Sequence, residues 1–373
     1  MAKDLKILIS GGGTGGHVFP AIAIAQELKK QCPHAEILFV GANGRIEMQK
    51  VPEAGFNIVG LPVQGFKRKL TLGNFKVMIN LLKSLNIAKN IVEDFKPHVA
   101  IGVGGYASGP VLKQAGKKGI PVFLQEQNSY AGVTNRLLAK YARKIYANYE
   151  DVRVQFKKAP IVITGNPLRN NINLNGANKE EGCACFGLDA NLPVALVLGG
   201  SGGARTLNHA LIKDYAKFTQ HGVQLIWQTG SHYHAQVLES TGIKDTGTGI
   251  AIVDFIPAMH MAYAAADVIV SRAGAGTISE LCLVGKPVIL VPSPNVAEDH
   301  QTKNALSLVN KGAALLIRDK DANETLASTT IQLVNNKIRQ ASLAANIKSL
   351  ARPNAAELIV TDILNTLRTN GME

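Results

Sequence analysis

A seven-residue segment near the start of the chain has a composition suited to binding phosphate. It reads Gly-Gly-Gly-Thr-Gly-Gly-His and runs from Gly11 to His17. An apolar, strand-like run precedes it and helical apolar spacing follows it. Backbone N–H groups of such a loop can approach phosphate oxygens, and a helix that starts there has a dipole that favours anions. Five glycines and a histidine are more than a tight turn requires.

The same loop formally satisfies the G-x-G-x-x-G pattern of dinucleotide-binding folds. A lone match of this kind is weak. Binding of NAD also requires an acidic residue at the end of the second strand, where it holds the ribose hydroxyls. Here that strand ends at Val40-Gly41-Ala42-Asn43, and the next acid is Glu47. An NAD-dependent oxidoreductase is therefore a disfavoured alternative, and we expect no cofactor.

Two more glycine loops follow strand-like runs, one in each half of the chain. Residues 104–110 read GGYASGP and residues 199–204 read GGSGGA. The carboxyl ends of parallel strands line the ligand crevice of open α/β sheets. Three such loops therefore suggest one cleft that holds several phosphates.

The most specific segment is SRAGAGTISEL, at residues 271–281, which follows a strand-like run and opens a helix. Its small residues leave N–H groups free for a phosphate. Glu280, one turn into the helix, could accept hydrogen bonds from two vicinal ribose hydroxyls. Further along, the polar segment 299–305 (DHQTKNA) supplies amides that could bind sugar hydroxyls.

Alternating strands and helices must position these segments, and the alternation runs through the chain twice. Short apolar strands that alternate with helices are typical of parallel doubly wound sheets. The sequence thus predicts an α/β protein with two Rossmann-like domains, 1–165 and 166–352, and a C-terminal segment of about 353–373 whose helix could pack back on the first domain. The predicted strands are 5–10, 36–41, 99–104, 121–125, 144–147, 161–164, 194–198, 223–228, 250–255, 268–271, 288–291 and 314–317.

The composition is that of an ordinary globular protein, with 373 residues, 46% of them hydrophobic and 18% charged. This length suits two domains. No apolar run reaches the ~18–20 residues of a membrane-spanning helix. The N-terminus lacks the features of a signal peptide, so we expect the chain to stay in the cytoplasm. The four cysteines have no metal-site spacing, and we expect reduced thiols, no disulfide and no bound metal.

The net charge of +13 is confined to the first half of the chain. Residues 1–165 contain 23 Lys and Arg against 10 Asp and Glu, whereas residues 166–373 contain 17 of each kind. Such asymmetry indicates a polyanion or an anionic membrane surface as a partner of the first half. A solvated, lysine-rich surface is an equally good explanation of the charge alone.

Taken together, the motifs resemble those of the MurG family. These transferases add N-acetylglucosamine from its UDP donor to the lipid-linked muramyl-pentapeptide of peptidoglycan synthesis. The resemblance runs from residue 5 to about residue 365, and so many motifs in one order are highly specific. The motifs are GGGTGGHVFPA (11–21), GGYASGP (104–110), EQN (126–128), NRLLAK (135–140), GNPLR (165–169), GGSGGA (199–204), DFIPAM (254–259), ADVIVSRAGAGTISEL (266–281) and DHQTKNA (299–305).

The resemblance implies a GT-B fold, in which the parallel sheets of two Rossmann-like domains face a deep cleft. It also implies a metal-independent, inverting transfer that converts lipid I to lipid II. Ile256 would contact uracil, Glu280 the ribose and Gln301 the sugar. Carried over motif by motif, the UDP-N-acetylglucosamine contacts would be Thr14, Gly15, Gly16, Asn128, Arg169, Ser201, Ile256, Ala275, Gly276, Thr277, Ile278, Ser279, Glu280 and Gln301. We expect the acceptor to bind at Gly12, Gly13, Gly104, Gly105 and Tyr106.

The reaction would join the acceptor's C4 hydroxyl to the donor's anomeric carbon and release UDP. No Asp-x-Asp motif ends a strand of the second domain, so the charge on the β-phosphate would be stabilised by backbone N–H groups, the helix start at 275–280, Ser201 and Arg169. His17 is a candidate catalytic base, and hydrogen bonding to substrate without proton transfer is nearly as good an interpretation. Glu126 is a second candidate base.

One stretch of the first half could lie on a membrane. Residues 66–69 (FKRK) precede residues 75–85, which are apolar with spaced lysines, the pattern of a helix on an anionic bilayer. A core helix with solvated lysines more often explains such a stretch. The charge excess favours peripheral contact with the cytoplasmic face of the plasma (inner) membrane.

Two other functions stay open. Another GT-B enzyme could use a UDP-sugar on a different lipid acceptor, as a galactolipid synthase does. A basic nucleic-acid or membrane-binding module would explain the charge, but it would leave Glu280 and three glycine loops without a purpose. We therefore expect no nucleic-acid partner.

Overall fold

The chain forms two compact units. The computed structural model describes residues 5–64, 73–156, 159–168, 177–200, 202–243 and 249–369, without the side chains of residues 73–76 and 297. Unit 1 combines Met1–Arg169 with Arg352–Glu373, and unit 2 is Asn170–Ala351. The end of the chain thus belongs to the same unit as its beginning.

Strands and helices alternate in both units. The strands are β1 Lys6–Gly11, β2 Glu36–Ala42, β3 Asn57–Leu61, β4 Val99–Gly104, β5 Val122–Glu126, β6 Ala142–Ala147, β7 Ile161–Ile163, β8 Val194–Leu198, β9 Gln224–Gln228, β10 Ile250–Val253, β11 Val268–Ser271, β12 Val288–Leu290 and β13 Leu315–Leu316. The α-helices are α1 Gly15–Gln31, α2 Glu47–Glu53, α3 Gly73–Phe95, α4 Ser108–Lys117, α5 Val133–Leu138, α6 Lys179–Cys185, α7 Arg205–Asp214, α8 Ala216–Gln220, α9 His234–Thr241, α10 Met259–Ala265, α11 Ala275–Val284, α12 His300–Val309, α13 Ala322–Val334, α14 Lys337–Ser349 and α15 Ala355–Thr369. None of these described helices has both the length and the apolar composition needed to cross a bilayer.

The described strands of unit 1 form a parallel sheet of seven in the order β3-β2-β1-β4-β5-β6-β7. The order reverses between β1 and β4, which lie side by side although they are distant in sequence. Ligands of open α/β sheets bind beyond the carboxyl ends of the strands at such a switch point. The glycine loops that start at Gly11 and Gly104 therefore lie together.

Helices cover both faces of this sheet, which is why its central strands are mostly apolar. Successive side chains of a strand point to opposite faces. Ile7 and Ile9 of β1 accordingly join the core formed with α1 and α15, while Leu8 joins the core on the side of α3 and α4. All three side chains are fully buried.

Unit 2 repeats this architecture with a smaller sheet. Its described strands are all parallel, in the order β10-β9-β8-β11-β12-β13, and the order reverses between β8 and β11. The loops that follow β8 and β11 therefore occupy the position that the first two glycine loops have in unit 1. The predicted α/β class with two Rossmann-like parallel sheets is confirmed.

The edge strand β3 is missing from the strands predicted from the sequence. It reads Asn-Ile-Val-Gly-Leu, and only Leu61 at its end is buried. An edge strand in contact with solvent lacks the continuous apolar run of a central one, so its signal was too weak to separate from a loop.

The C-terminal helix α15 is held on unit 1 by apolar and polar contacts. Ile359 and Ile363 are fully buried against the core that includes β1 and α1. The carboxylate of Asp362 accepts hydrogen bonds from Lys144 Nζ at 2.8 Å and from the Tyr146 hydroxyl at 2.7 Å. Burial, and then the neighbouring Asp362, raises the pKa of Tyr146, so the hydroxyl stays protonated and donates.

Shortening Ile363 should destabilise unit 1. Loss of a fully buried aliphatic side chain costs about 2–5 kcal/mol of unfolding free energy, and we expect Ile363→Ala to fall in that range. Leu358→Ala, on the exposed side of the same helix, should change it by no more than about 0.5 kcal/mol. Urea unfolding followed by circular dichroism measures both, and equal losses in the two variants would contradict the packing of α15.

Candidate active site

The first glycine loop brings backbone N–H groups to the carboxyl end of β1. Helix α1 begins at Gly15, and no acidic residue lies in its first turn. The Thr14 carbonyl accepts hydrogen bonds from His17 N at 3.1 Å and Val18 N at 3.2 Å, as in a regular helix start. The first N–H groups of a helix have no intrahelical partner, so the loop can bind an anion with backbone donors and the helix dipole.

The buried carboxylate of Glu47 holds this loop in place through hydrogen bonds. Glu47 is fully buried, and it accepts hydrogen bonds from Gly13 N at 2.8 Å and Ala42 N at 2.9 Å. A Cβ atom on Gly12 would lie 2.1 Å from Glu47 Oε1, so this position needs glycine. In the sequence, Glu47 stands out only as an acid too distant from the second strand for NAD binding. Its spacing from the loop gave no signal for this structural role.

The second glycine loop lies directly against the first. Gly12 N donates to the Gly104 carbonyl at 3.3 Å, and a Cβ atom on Gly105 would lie 2.2 Å from the Gly12 carbonyl oxygen. Gly104 and Gly105 both have φ of +91°, which favours glycine. Tyr106, next along the chain, is half exposed.

His17 is held by a buried amide at the end of β5. Its Nδ1 lies 3.0 Å from Gln127 Oε1, and Gln127 Nε2 donates to the Val103 carbonyl at 2.8 Å. The imidazole also lies against Gly104, where a Cβ atom would come within 3.0 Å of its Cε1. The EQN motif at 126–128 is visible in the sequence, but nothing there predicts a role for its glutamine.

The carboxylate of Glu126 is buried among hydrogen-bond donors. It accepts from Asn128 N at 3.0 Å, Asn128 Nδ2 at 3.4 Å, Gly132 N at 3.1 Å and Asn135 Nδ2 at 2.8 Å. Only 1% of Glu126 is exposed. These contacts fix the turn after β5 and the side chain of Asn128.

In unit 2, the loop after β11 leads into the start of α11. Gly274 is the N-cap in an extended conformation, and no acidic residue lies in the first turn. Farther along the helix, Glu280 Oε2 accepts a hydrogen bond from the Tyr263 hydroxyl at 3.3 Å. Burial, and then the charge of Glu280, raises the pKa of Tyr263 well above its usual value, so Tyr263 stays a donor.

Gln301 connects two loops at the carboxyl ends of unit 2. Its Oε1 accepts from Ala273 N at 3.2 Å and Ser293 N at 2.8 Å. Both partners are donors, so the amide orientation is fixed and Nε2 is the group left to donate. The two residues that lead into α12, Glu298 and Asp299, have φ of 52° and 54°. Residues other than glycine rarely adopt this backbone conformation, and strained backbone of this kind clusters at functional sites.

A partly buried ion pair ties the loop after β11 to the helix after β8. Arg272 Nη1 lies 2.5 Å from Asp319 Oδ1 and donates to the Val291 carbonyl at 3.0 Å. Asp319 Oδ2 accepts from Thr206 Oγ1, near the start of α7, at 2.9 Å. Arg272 thus connects the loop after β11 to the end of β12 and to Asp319.

Comparison with known families identifies this arrangement. The Glycosyltransferase family 28 N-terminal domain matches residues 7–147, and the Glycosyltransferase family 28 C-terminal domain matches residues 194–359. The chain belongs to glycosyltransferase family 28. The enzyme class predicted from the sequence, a glycosyltransferase, is confirmed.

Relatives within family 28 cover nearly the whole chain. A UDP-N-acetylglucosamine–N-acetylmuramyl-(pentapeptide) pyrophosphoryl-undecaprenol N-acetylglucosamine transferase from Parabacteroides distasonis is 53% identical, over 98% of this chain and 99% of its own. Its namesake from Phocaeicola vulgatus is 52% identical, over 97% and 96%. The crystal structure of Acinetobacter baumannii MurG matches with a TM-score of 0.77 and 26% identity, over 97% of this chain and 99% of that one. The predicted MurG resemblance and GT-B fold class are confirmed.

The expected site residues are divided between the two family 28 domains. Ile256 is buried and follows the edge strand β10. Arg169 and Ser201 lie outside the described residues. In unit 1 the structure brings to the carboxyl ends of β1, β4 and β5 the residues Gly12, Gly13, Thr14, Gly15, Gly16, His17, Gly104, Gly105, Tyr106, Glu126 and Asn128. In unit 2 the start of α11 carries Ala275, Gly276, Thr277, Ile278, Ser279 and Glu280, and the start of α12 carries Gln301.

Replacement of Glu47 should destabilise unit 1, because its carboxylate is buried and each of its oxygens accepts a backbone hydrogen bond. In Glu47→Gln an amide N–H group would face one of two backbone donors, and an unsatisfied buried group costs about 1–3 kcal/mol. We expect a loss of that size in urea unfolding. Glu53→Gln, on the exposed end of the same helix, should stay within about 0.5 kcal/mol of wild type. A Glu47→Gln protein as stable as the control would refute the supporting role of this carboxylate.

Proposed function

We propose that this family 28 enzyme transfers N-acetylglucosamine from UDP-N-acetylglucosamine to the C4 hydroxyl of undecaprenyl-diphosphate-linked muramyl-pentapeptide, with inversion at the anomeric carbon. The observation that carries the proposal is the 53% identity to a relative of that name over nearly the full length of both chains. The arrangement of donors in each unit supports it.

The start of α11 suits the UDP part of the donor. Its N–H groups and dipole would stabilise the charge that develops on the β-phosphate as UDP leaves. Glu280, held by Tyr263, would accept hydrogen bonds from the ribose hydroxyls, and Gln301 Nε2 would donate to the sugar. Ile256 would contact uracil through its backbone, and Arg169 and Ser201 would add phosphate contacts.

The paired glycine loops of unit 1 suit the acceptor. Gly104, Gly105 and Tyr106 would bind its diphosphate beside Gly12 and Gly13, whose own N–H groups are donated to the Gly104 carbonyl and to Glu47. Thr14, Gly15 and Gly16 would touch the donor sugar, and Asn128 would contact the donor. The acceptor's C4 oxygen attacks the anomeric carbon, and the bond from that carbon to the β-phosphate oxygen breaks. UDP leaves with the bonding electrons, and the proton of the C4 hydroxyl passes to a base.

We assign that base to His17 rather than Glu126. A general base must reach the proton that it removes. The carboxylate of Glu126 is buried and accepts four hydrogen bonds from within its own turn. His17 is only partly buried and lies at the start of α1, beside the paired glycine loops. Glu126 then serves to hold Asn128 in place.

Release of UDP tests the function directly. Wild-type protein should release UDP from UDP-N-acetylglucosamine only when a short-chain lipid-linked muramyl-pentapeptide is present, and EDTA should leave the rate unchanged. His17→Ala should lower kcat by about 10²- to 10⁴-fold, the usual contribution of a general base. His221→Ala, which changes an exposed histidine of unit 2, is the matched control.

Three results would count against these assignments. Near-normal turnover of His17→Ala would exclude this histidine as the base. Loss of activity in EDTA would contradict metal independence. Transfer to diacylglycerol instead of the muramyl acceptor would indicate a different lipid-directed transferase.

We further propose that α3 contacts an anionic membrane surface, at the cytoplasmic face of the plasma membrane. Met78, Ile79 and Leu82 are exposed apolar side chains on one side of this helix, and Lys83 and Lys89 are exposed on it as well. Exposed apolar groups beside lysines favour the interface of an anionic bilayer. The basic segment 66–69 lies outside the described residues.

Leu82 should contribute to membrane binding. Wild-type protein should sediment with phosphatidylglycerol-containing liposomes at low salt, and less so at high salt, because the charges are screened. Leu82→Asn should weaken sedimentation. Leu358→Asn changes an equally exposed leucine on α15, which packs on the other face of the sheet, and should have no effect. Identical sedimentation of both variants would rule out α3 as the contact.

A further inference from the structure

Three buried amide side chains form a chain of hydrogen bonds that ends on His17. Gln127 Oε1 contacts His17 Nδ1 at 3.0 Å, and Gln127 Nε2 in turn donates to Gln125 Oε1. Gln125 Nε2 donates to Asn166 Oδ1 at 3.0 Å. Each of these amide residues is no more than 2% exposed. Their orientations are therefore set by partners within the protein.

Two backbone carbonyls fix the direction of this chain independently. A carbonyl oxygen can only accept, so the Gln127 atom 2.8 Å from the Val103 carbonyl must be its NH₂ group. At the other end, the Asn166 atom 3.2 Å from the Gln127 carbonyl must also be an NH₂ group. Starting from Asn166, the oxygen of each amide must then accept from the NH₂ group of the next, from Gln125 and then from Gln127. This gives the same orientation for Gln127.

The oxygen of Gln127 is therefore the atom that faces His17. It carries no proton, so the hydrogen of this bond must lie on His17 Nδ1. A neutral imidazole has one N–H group, and its other nitrogen has a lone pair. Among the described residues, His17 Nε2 has no hydrogen-bond partner.

We propose that Gln127 is a positioning residue, which holds His17 in the Nδ1–H tautomer and thereby makes Nε2 the atom that accepts the proton of the acceptor's C4 hydroxyl. The inference rests on the proposed function for its catalytic consequence. The tautomer itself follows from the hydrogen bonds alone. A histidine in the opposite tautomer has no lone pair at the required nitrogen and cannot act as the base.

The amide also serves the ring after it has accepted the proton. The imidazolium donates from both nitrogens, and Gln127 Oε1 continues to accept from Nδ1. Gln125 and Asn166 keep that oxygen in place because rotation of any amide in the chain would bring two like groups together. The three amides thus orient the His17 ring in both its neutral and its protonated state, without a carboxylate partner.

Nuclear magnetic resonance of ¹⁵N-histidine-labelled wild-type protein tests the tautomer without any activity measurement. At about pH 9, above the ordinary histidine pKa of about 6.5, the nitrogen shifts distinguish Nδ1–H from Nε2–H rings. The His17 signal is assigned by its absence in His17→Ala. We expect Nδ1–H, although Nε2–H is the more common form of free histidine, and an Nε2–H signal would overturn the proposal.

Kinetics of Gln127 variants test the consequence. Gln127→Met keeps the volume but removes the acceptor, and kcat should fall about 10- to 100-fold, the size of effect that outer partners of a histidine ring have elsewhere. The KM for UDP-N-acetylglucosamine should change little. Gln127→Glu still offers an oxygen to Nδ1, but its second oxygen would face the Val103 carbonyl and Gln125 Oε1, which both accept. Its kcat should therefore fall less than that of Gln127→Met, with a changed pH profile. Gln114→Met, which removes another amide that donates to a backbone carbonyl, is the matched control.

The outcomes distinguish a failure of the positioning role of Gln127 from a failure of the proposed function. Equal kcat values for Gln127→Met and Gln114→Met would overturn the positioning role. If Gln127→Met does not fold, the wild-type tautomer and the Gln127→Glu profile still decide it. A wild-type protein that transfers no sugar to the muramyl acceptor would refute the proposed function, while the nitrogen shifts would still report the tautomer.

Discussion

The direct contact between two glycine loops is the constraint on which the site of unit 1 depends. Gly12 donates to the Gly104 carbonyl, and a side chain at Gly105 would collide with the Gly12 backbone. The carboxyl ends of β1 and β4 can therefore meet backbone to backbone, and their N–H groups stay close enough together to serve one diphosphate. The same closeness places the imidazole of His17 against Gly104 and within reach of Gln127. The position of the His17 ring thus follows from the absence of Cβ atoms at one point of the sheet, and the proposed binding of a diphosphate depends on the same point.

Both units stabilise their loops with a buried or half-buried side-chain oxygen that accepts backbone N–H groups. In unit 1 this is the carboxylate of Glu47, which holds Gly13 and the end of β2. In unit 2 it is the amide of Gln301, which holds Ala273 and Ser293. Some donors of each loop are used to fix its shape, and the remaining donors are left for ligand. A loop ordered before binding loses less conformational entropy when the ligand arrives.

The sequence predicted what depends on local pattern and missed what depends on tertiary contact. Buried central strands are mostly apolar, so both sheets were predictable, whereas the edge strand β3 was not. Glycines next to strand ends indicated the loops, because few other roles require so many. Glu47 and Gln127 gave no local signal, because each binds a residue that is distant in sequence. Glu47 lies 34 residues from Gly13, and Gln127 lies 110 residues from His17. Arg272 could be placed in a motif, but its partner Asp319 lies 47 residues away.

The neutral amide beside His17 suits the proposed function, in which the site would bind two diphosphates. Like unit charges about 4 Å apart repel by roughly 4 kcal/mol at an effective dielectric constant of about 20. A carboxylate in direct contact with the ring could also accept from Nδ1, but it would add a negative charge close to the phosphates that the proposed substrates carry. The two nearby carboxylates, Glu47 and Glu126, are instead buried, and their hydrogen bonds come from backbone and amide N–H groups. Orientation by Gln127 fixes the tautomer of His17 and leaves the electrostatic potential at the glycine loops to their N–H groups, to the dipole of α1 and to the excess of positive charge in the first half of the chain.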